Sequence, residues 1–86
     1  MPDRIIFSPH AHSQLKERKL NEEDVLETLQ RPDEVVASGH RLVTQKVITL
    51  RDKPYLLRVI YEELDGAALV VTLYITSRIA KYRGPQ

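Results

Sequence analysis

The chain contains no cysteine, which excludes disulfides, thiolate zinc sites and thiol nucleophiles. No run approaches the ~20 apolar residues of a membrane span, and the first residues lack the apolar stretch of a secretory leader. There is no internal repeat and no low-complexity tract. At 86 residues the chain is also too short for a nucleotide-binding α/β sheet, a TIM barrel or a two-lobed cofactor site. A single domain spanning 1–86 is expected, burying a little over ~60% of its unfolded surface. Without covalent staples its small core must come from packing, with self-association as an available aid. A cytoplasmic protein is the expectation.

Acidic charge is scarce in the second half. The net charge of +1 divides into −3 over residues 1–40 and +4 over residues 41–86. Residues 77–86 form a basic tail that holds Arg78, Lys81 and Arg83 and no acid. Such asymmetry points towards an anionic partner for the C-terminal half, although ordinary surface solvation also produces it.

Local signals divide the chain into a helical half and a β half. Arg4-Ile5-Ile6-Phe7 is a short apolar segment that suits an edge strand. Ser8-Pro9 reads as an N-cap with proline at the first helical position, opening a helix from about Pro9 to Arg18. Asn21, followed by Glu22, Glu23 and Asp24, starts a second helix, in which acids favour the positive dipole end. Val25, Leu26 and Leu29 give that helix its apolar side, and it stops before Pro32.

From Glu34 onward β-branched residues dominate. Strands are expected at Val35–Ala37, Leu42–Leu50, Tyr55–Glu62 and Leu69–Thr76, joined by short turns. The expected fold class is therefore α+β: two N-terminal helices packed on a four-stranded antiparallel meander.

Register decides which face each polar residue occupies. A three-residue Leu64-Asp65-Gly66 loop would pair Glu63 with Ala67. It would place Leu57, Val59 and Tyr61 on one face with Leu69, Val71, Leu73 and Ile75. Arg58 would then share the other face with Thr72, Tyr74 and Thr76. Burying an unpaired arginine is costly, so this loop is preferred over the two-residue Asp65-Gly66 turn that the dipeptide alone favours. The first hairpin stays open between two registers. A loop of Arg51-Asp52-Lys53 sets Lys46 opposite Arg58, and a loop of Asp52-Lys53 sends Lys46 to the other face.

Several residues carry chemistry. His10, in the first turn of a helix, is held nearer neutral by the positive dipole end, as a general base near pH 7 requires. Exposed helix histidines are more commonly plain polar residues. His12 lies on a different side of the helix and His40 falls in a turn. No metal site and no cofactor are expected. Arg58 sits mid-strand in an apolar run, where a charge needs a reason: a helix carboxylate such as Glu17, or a ligand. Thr72 and Tyr74 are also good strand formers in their own right.

The segments Phe7-Ser8-Pro9-His10-Ala11, Glu23-Asp24-Val25 and Arg31-Pro32-Asp33-Glu34-Val35 resemble the opening of a prokaryotic domain family of unknown function. So do Arg18 and Leu20. In the second half Lys46, Leu57-Arg58-Val59, Val71-Thr72, Tyr74, Ser77-Arg78 and Lys81-Tyr82 match as well. The pattern is dispersed over about residues 5–82. That family is grouped with RelE/ParE-like toxins and the barnase–EndoU–colicin–RelE set of small ribonucleases. The resemblance thus implies a RelE/ParE-like fold. Departures occur at Gln14, where the family commonly has arginine, at Lys19, where it has glycine, and at Leu20, where it has Ile or Val.

Resemblance does not establish a ribonuclease pocket, since folds host many functions. The hypothesis for these residues is a toxin-like, metal-independent endoribonuclease in which a base takes the 2′-hydroxyl proton and cations stabilise the phosphorane. In that arrangement His10 is the acid/base, and Arg58 and Arg78 clamp the phosphate. Lys46 or Lys81 adds charge, and Thr72 hydrogen-bonds the phosphate. Tyr74 or Tyr82 stacks a base or relays a proton. The alternative is a non-catalytic domain that binds RNA, an antitoxin-like acidic segment or a second copy of itself.

Overall fold

The computed structural model describes residues 4–82. In chain order these form β1 (Arg4–Phe7), α1 (Pro9–Glu17), α2 (Glu22–Gln30), β2 (Glu34–Ser38), β3 (Arg41–Leu50), β4 (Lys53–Leu64), β5 (Ala67–Thr76) and α3 (Ile79–Tyr82). The strands make one five-stranded sheet of order β1-β5-β4-β3-β2. Neighbours among β2 to β5 are antiparallel, and β1 runs parallel to β5, with Arg4 beside Ala67 and Phe7 beside Val70.

The expected four-stranded antiparallel RelE/ParE-like meander is therefore corrected to a five-stranded mixed sheet with a third short helix. Four residues are too few to display a strand period, and the partner of β1 lies more than sixty residues away. The segment Arg4–Phe7 is an edge strand, as its apolar run suited, but its parallel pairing with β5 is not announced by local sequence.

The helix starts and stops follow from their caps. The Ser8 hydroxyl accepts from the Ala11 N–H at 3.0 Å and donates to the Val71 carbonyl at 2.8 Å. α1 ends with Lys19 at φ 55°, with Leu20 N–H reaching the Leu15 carbonyl at 3.0 Å and Lys19 N–H the Lys16 carbonyl at 3.1 Å. This is a Schellman closure, and Leu15 and Leu20 are both buried beneath it. At the start of α2 the Asn21 N–H donates to Asp24 Oδ2 at 3.3 Å.

Both helices cover one face of the sheet. Ala11, Leu15, Leu20, Val25 and Leu29 pack there against Leu57, Val59, Tyr61, Ala68, Val70 and Leu73. The C-terminal end of α2 is tied to β3. Thr44 Oγ1 donates to the Thr28 carbonyl at 2.9 Å, and Lys46 Nζ donates to the Arg31 carbonyl at 2.8 Å.

The β4–β5 hairpin corrects the expected loop. Leu64 pairs with Ala67, so Asp65-Gly66 is a two-residue turn, with φ of 47° and 81°. Positive φ at both positions is the type I′ pattern. The register then shifts by one residue between Ile60 and Tyr61, because Tyr61 faces Val70 while Ile60 faces Thr72. Val71 is the extra residue of this bulge. Ala68 and Val70 consequently fill the core, in place of the expected Leu69 and Val71, while Leu73 stays on the core side as expected. The β3–β4 turn is Arg51-Asp52, with φ of 49° and 65° and Leu50 opposite Lys53. It ends one residue earlier than either expected loop, and it sets Gln45, not Lys46, opposite Arg58.

Candidate functional site

On the face away from α1 and α2, four polar side chains stand in one row across the sheet. Glu34 of β2 pairs with Gln45 of β3, Gln45 with Arg58 of β4, and Arg58 with Tyr74 of β5. The row is hydrogen-bonded from end to end. Gln45 Nε2 donates to Glu34 Oε1 at 2.7 Å, Arg58 Nε donates to Gln45 Oε1 at 2.9 Å, and Arg58 Nη1 donates to the Tyr74 hydroxyl. Gln45 is 0% exposed. Its second N–H donates to the Tyr82 carbonyl at 2.9 Å, so its amide is satisfied on every side.

α3 folds back onto this row. The Arg58 guanidinium carbon lies 4.5 Å from the Tyr82 ring centroid and 5.6 Å from that of Tyr74. The two rings meet edge to face, with centroids 6.4 Å apart. Lys81 Nζ sits 5.4 Å from the Tyr82 centroid, adding a second cation beside the first. Each cation–π contact contributes on the order of 0.5–2 kcal/mol, more where water is excluded.

The charge balance is the informative feature. A guanidinium carries five N–H donors. Among the described residues, Arg58 uses Nε–H on a neutral amide and one Nη1–H on a neutral hydroxyl, and no carboxylate oxygen lies within 4 Å of it. Glu34 is held at one remove by the Gln45 amide. A half-buried cation with only neutral partners and donors to spare is built to receive an anion.

The residues singled out in the sequence fall into three groups. Arg58, Thr72, Tyr74, Lys81 and Tyr82 gather: the first three share the face of the row, and α3 carries the last two. Arg78 is exposed in the turn before α3, where its N–H donates to Thr76 Oγ1 at 3.1 Å. Arg83 lies outside the described residues, as does the rest of the basic tail beyond Tyr82. Lys46 lies on the helical face, where besides the Arg31 carbonyl it approaches Asp33 at 3.9 Å. His10 is exposed in the first turn of α1, whose core side packs on the face opposite Arg58. No hydrogen bond or ion pair among the described residues joins it to the row. Glu17, considered as a carboxylate for Arg58, is likewise on α1.

Sequence reasoning missed Gln45 and Glu34. The signal was arithmetical: once the turn is Arg51-Asp52, Gln45 must oppose Arg58. Among the described residues, no group of His, Cys, Asp and Glu has an arrangement suited to a metal ion, and no helix is long and apolar enough to cross a membrane. No family model, no curated protein and no solved structure matches the chain. The likeness to the toxin-related family therefore rests on the sequence pattern alone.

Proposed function

We propose that the protein binds single-stranded RNA on the face that carries the Glu34–Gln45–Arg58–Tyr74 row. The single observation behind this reading is the Arg58 guanidinium, held between tyrosine rings with only neutral acceptors. A backbone phosphate supplies the missing negative charge and takes the remaining N–H donors. Lys81 and Arg78 extend the positive track, and the partly exposed Tyr82 ring offers a stacking surface for a base. Of the residues that carry the family resemblance in the second half, Arg58, Thr72, Tyr74, Arg78, Lys81 and Tyr82 belong to this reading, whereas Lys46 stands on the helical face.

Fluorescence anisotropy with a labelled single-stranded RNA tests this. Arg58→Ala and Tyr82→Ala each weaken binding by roughly tenfold, within the ~1–3 kcal/mol per contact seen for stacking. His10→Ala leaves binding unchanged. Equal affinity for wild type and Arg58→Ala removes the site.

One observation favours a second reading, metal-independent cleavage at the same face. The Tyr74 hydroxyl accepts from Arg58, so its own proton is left to donate. A tyrosine beside a guanidinium is suited to protonating the leaving 5′-oxygen as the 2′-oxygen attacks phosphorus and gives its proton to solvent water, while the cation stabilises the phosphorane. Incubation of long RNA with protein and EDTA decides it. Products that vanish in Tyr74→Phe support cleavage; intact RNA under conditions of full binding leaves a binding protein.

A further inference from the structure

We propose that β2 is a self-complementary dimerisation edge, through which two copies of this chain join their sheets into one. Among the described residues, the free side of β2 is an open edge of the sheet. Natural edge strands are usually blunted by very short length, charged side chains, proline, a bulge or a covering segment. The one charge on β2, Glu34, is engaged with the Gln45 amide. The five residues Glu34-Val35-Val36-Ala37-Ser38 include neither proline nor lysine, and four of the five are exposed. Val35 is 47% exposed and Val36 43%, so both faces of the edge present β-branched surface.

The parity of the ladder determines which backbone groups point outward. Ser38 pairs with Arg41 across the two-residue Gly39-His40 turn, and such turns are closed by a mutually hydrogen-bonded pair. Counting back, Val36 and Glu34 also bond inward, to Val43 and Gln45. The Gln45 carbonyl does point at β2, since it accepts from the Asp33 N–H at 2.9 Å. Val35 and Ala37 are then the residues whose N–H and C=O face the open edge.

An antiparallel copy placed on a two-fold axis through Val36 uses all four of those groups. Val35 of one protomer exchanges both hydrogen bonds with Ala37 of its partner, and the symmetric pair repeats this. Val36 meets its own counterpart as the closely spaced, non-hydrogen-bonded pair, where apolar side chains contribute most. Glu34 lands opposite Ser38, so no like charges meet. A C2 interface requires this reciprocity of one patch with itself, and a second copy is the occupant that satisfies it. The axis runs perpendicular to the sheet, so both Arg58 faces lie on the same side of the dimer.

Sedimentation velocity and amide hydrogen exchange test the proposal without reference to RNA. The wild type is expected to sediment as a dimer across the micromolar range, with the Val35 and Ala37 amides protected more strongly as concentration rises. Val36→Lys and Val36→Glu place like charges across the axis and are each monomeric; an equimolar mixture of the two restores the dimer. A wild type that stays monomeric to millimolar concentration, with those two amides exchanging independently of concentration, overturns the interface. So does a dimer that persists in Val36→Lys. If either variant fails to fold, the exchange of the two wild-type amides decides alone.

Discussion

Gln45 shows how one neutral side chain organises charges on both sides of it. Its carbonyl oxygen is committed to Arg58 and its two N–H groups to Glu34 and the Tyr82 carbonyl. Replacement by leucine keeps the volume but strands the guanidinium Nε–H and the Tyr82 carbonyl at the end of α3. Leaving buried groups unpaired costs about 1–3 kcal/mol each where water cannot enter. Gln45→Leu is therefore expected to lower the free energy of unfolding in urea by roughly 2 kcal/mol. It should also weaken RNA binding, because Arg58 is no longer aimed. Gln45→Glu separates the two effects: a carboxylate still accepts from Arg58 but neutralises it and repels Glu34, so RNA affinity falls even where the fold survives. At the same scale, burial and the nearby Glu63 carboxylate raise the Tyr61 hydroxyl above its usual value of 10.0. The folded state then holds this proton more tightly than the unfolded chain. Its contribution is complete below about pH 10 and is lost as pH rises through the higher folded value. Wild type should accordingly lose stability with rising alkalinity more steeply than Tyr61→Phe, as read by urea midpoints across that range.

At the level of elements, the start of α1 and the bulge in β5 are two views of one junction. Val71 is squeezed out of register with β4, and its carbonyl is taken by the Ser8 hydroxyl, while the Val70 carbonyl accepts the Ser8 N–H at 2.9 Å. Ser8→Ala removes a helix cap and orphans a bulge carbonyl together. The expected loss is about 1–2 kcal/mol in chemical denaturation. Lys19 tells the opposite story: a side chain at φ 55° in a Schellman closure costs roughly 1 kcal/mol relative to glycine. Lys19→Gly should raise the urea midpoint without changing the slope. These junctions also explain what was legible beforehand. The caps at Ser8 and Asn21, the stop before Pro32 and the four antiparallel strands announced themselves through local chemistry. The face chosen by Arg58 followed from the cost of burying it. The loop argument that led there failed, because the register change sits at Val71 inside a strand, where no glycine marks it. The parallel β1–β5 pair and the Gln45–Arg58 pairing depend on contacts distant in sequence, which composition and periodicity do not report.

Across the whole molecule the charge asymmetry of the sequence becomes a spatial one. The acidic first half supplies α1 and α2 on one side of the sheet, with Glu22 and Glu23 beside an apolar groove formed by Ile5, Phe7 and Leu26. The second half brings Arg58 to the other side, and α3 carries Lys81 there beside Tyr82. Binding of a polyanion to such a surface must release counterions, and each phosphate neutralised on a single strand contributes about −0.7 to the slope of log affinity against log salt. Titrations between roughly 50 and 200 mM salt then count the contacts. Arg58→Ala should flatten the slope by about 0.7, and Arg78→Ala combined with Lys81→Ala by about 1.4. Lys46→Ala, which removes a cation on the helical face that is engaged with the end of α2, should leave the slope unchanged while lowering stability. A slope that responds equally to Lys46 and to Arg58 would mean that RNA senses only the net charge of the protein. A response confined to Arg58, Arg78 and Lys81 assigns the phosphates to the face where the buried amide of Gln45 holds the guanidinium in place.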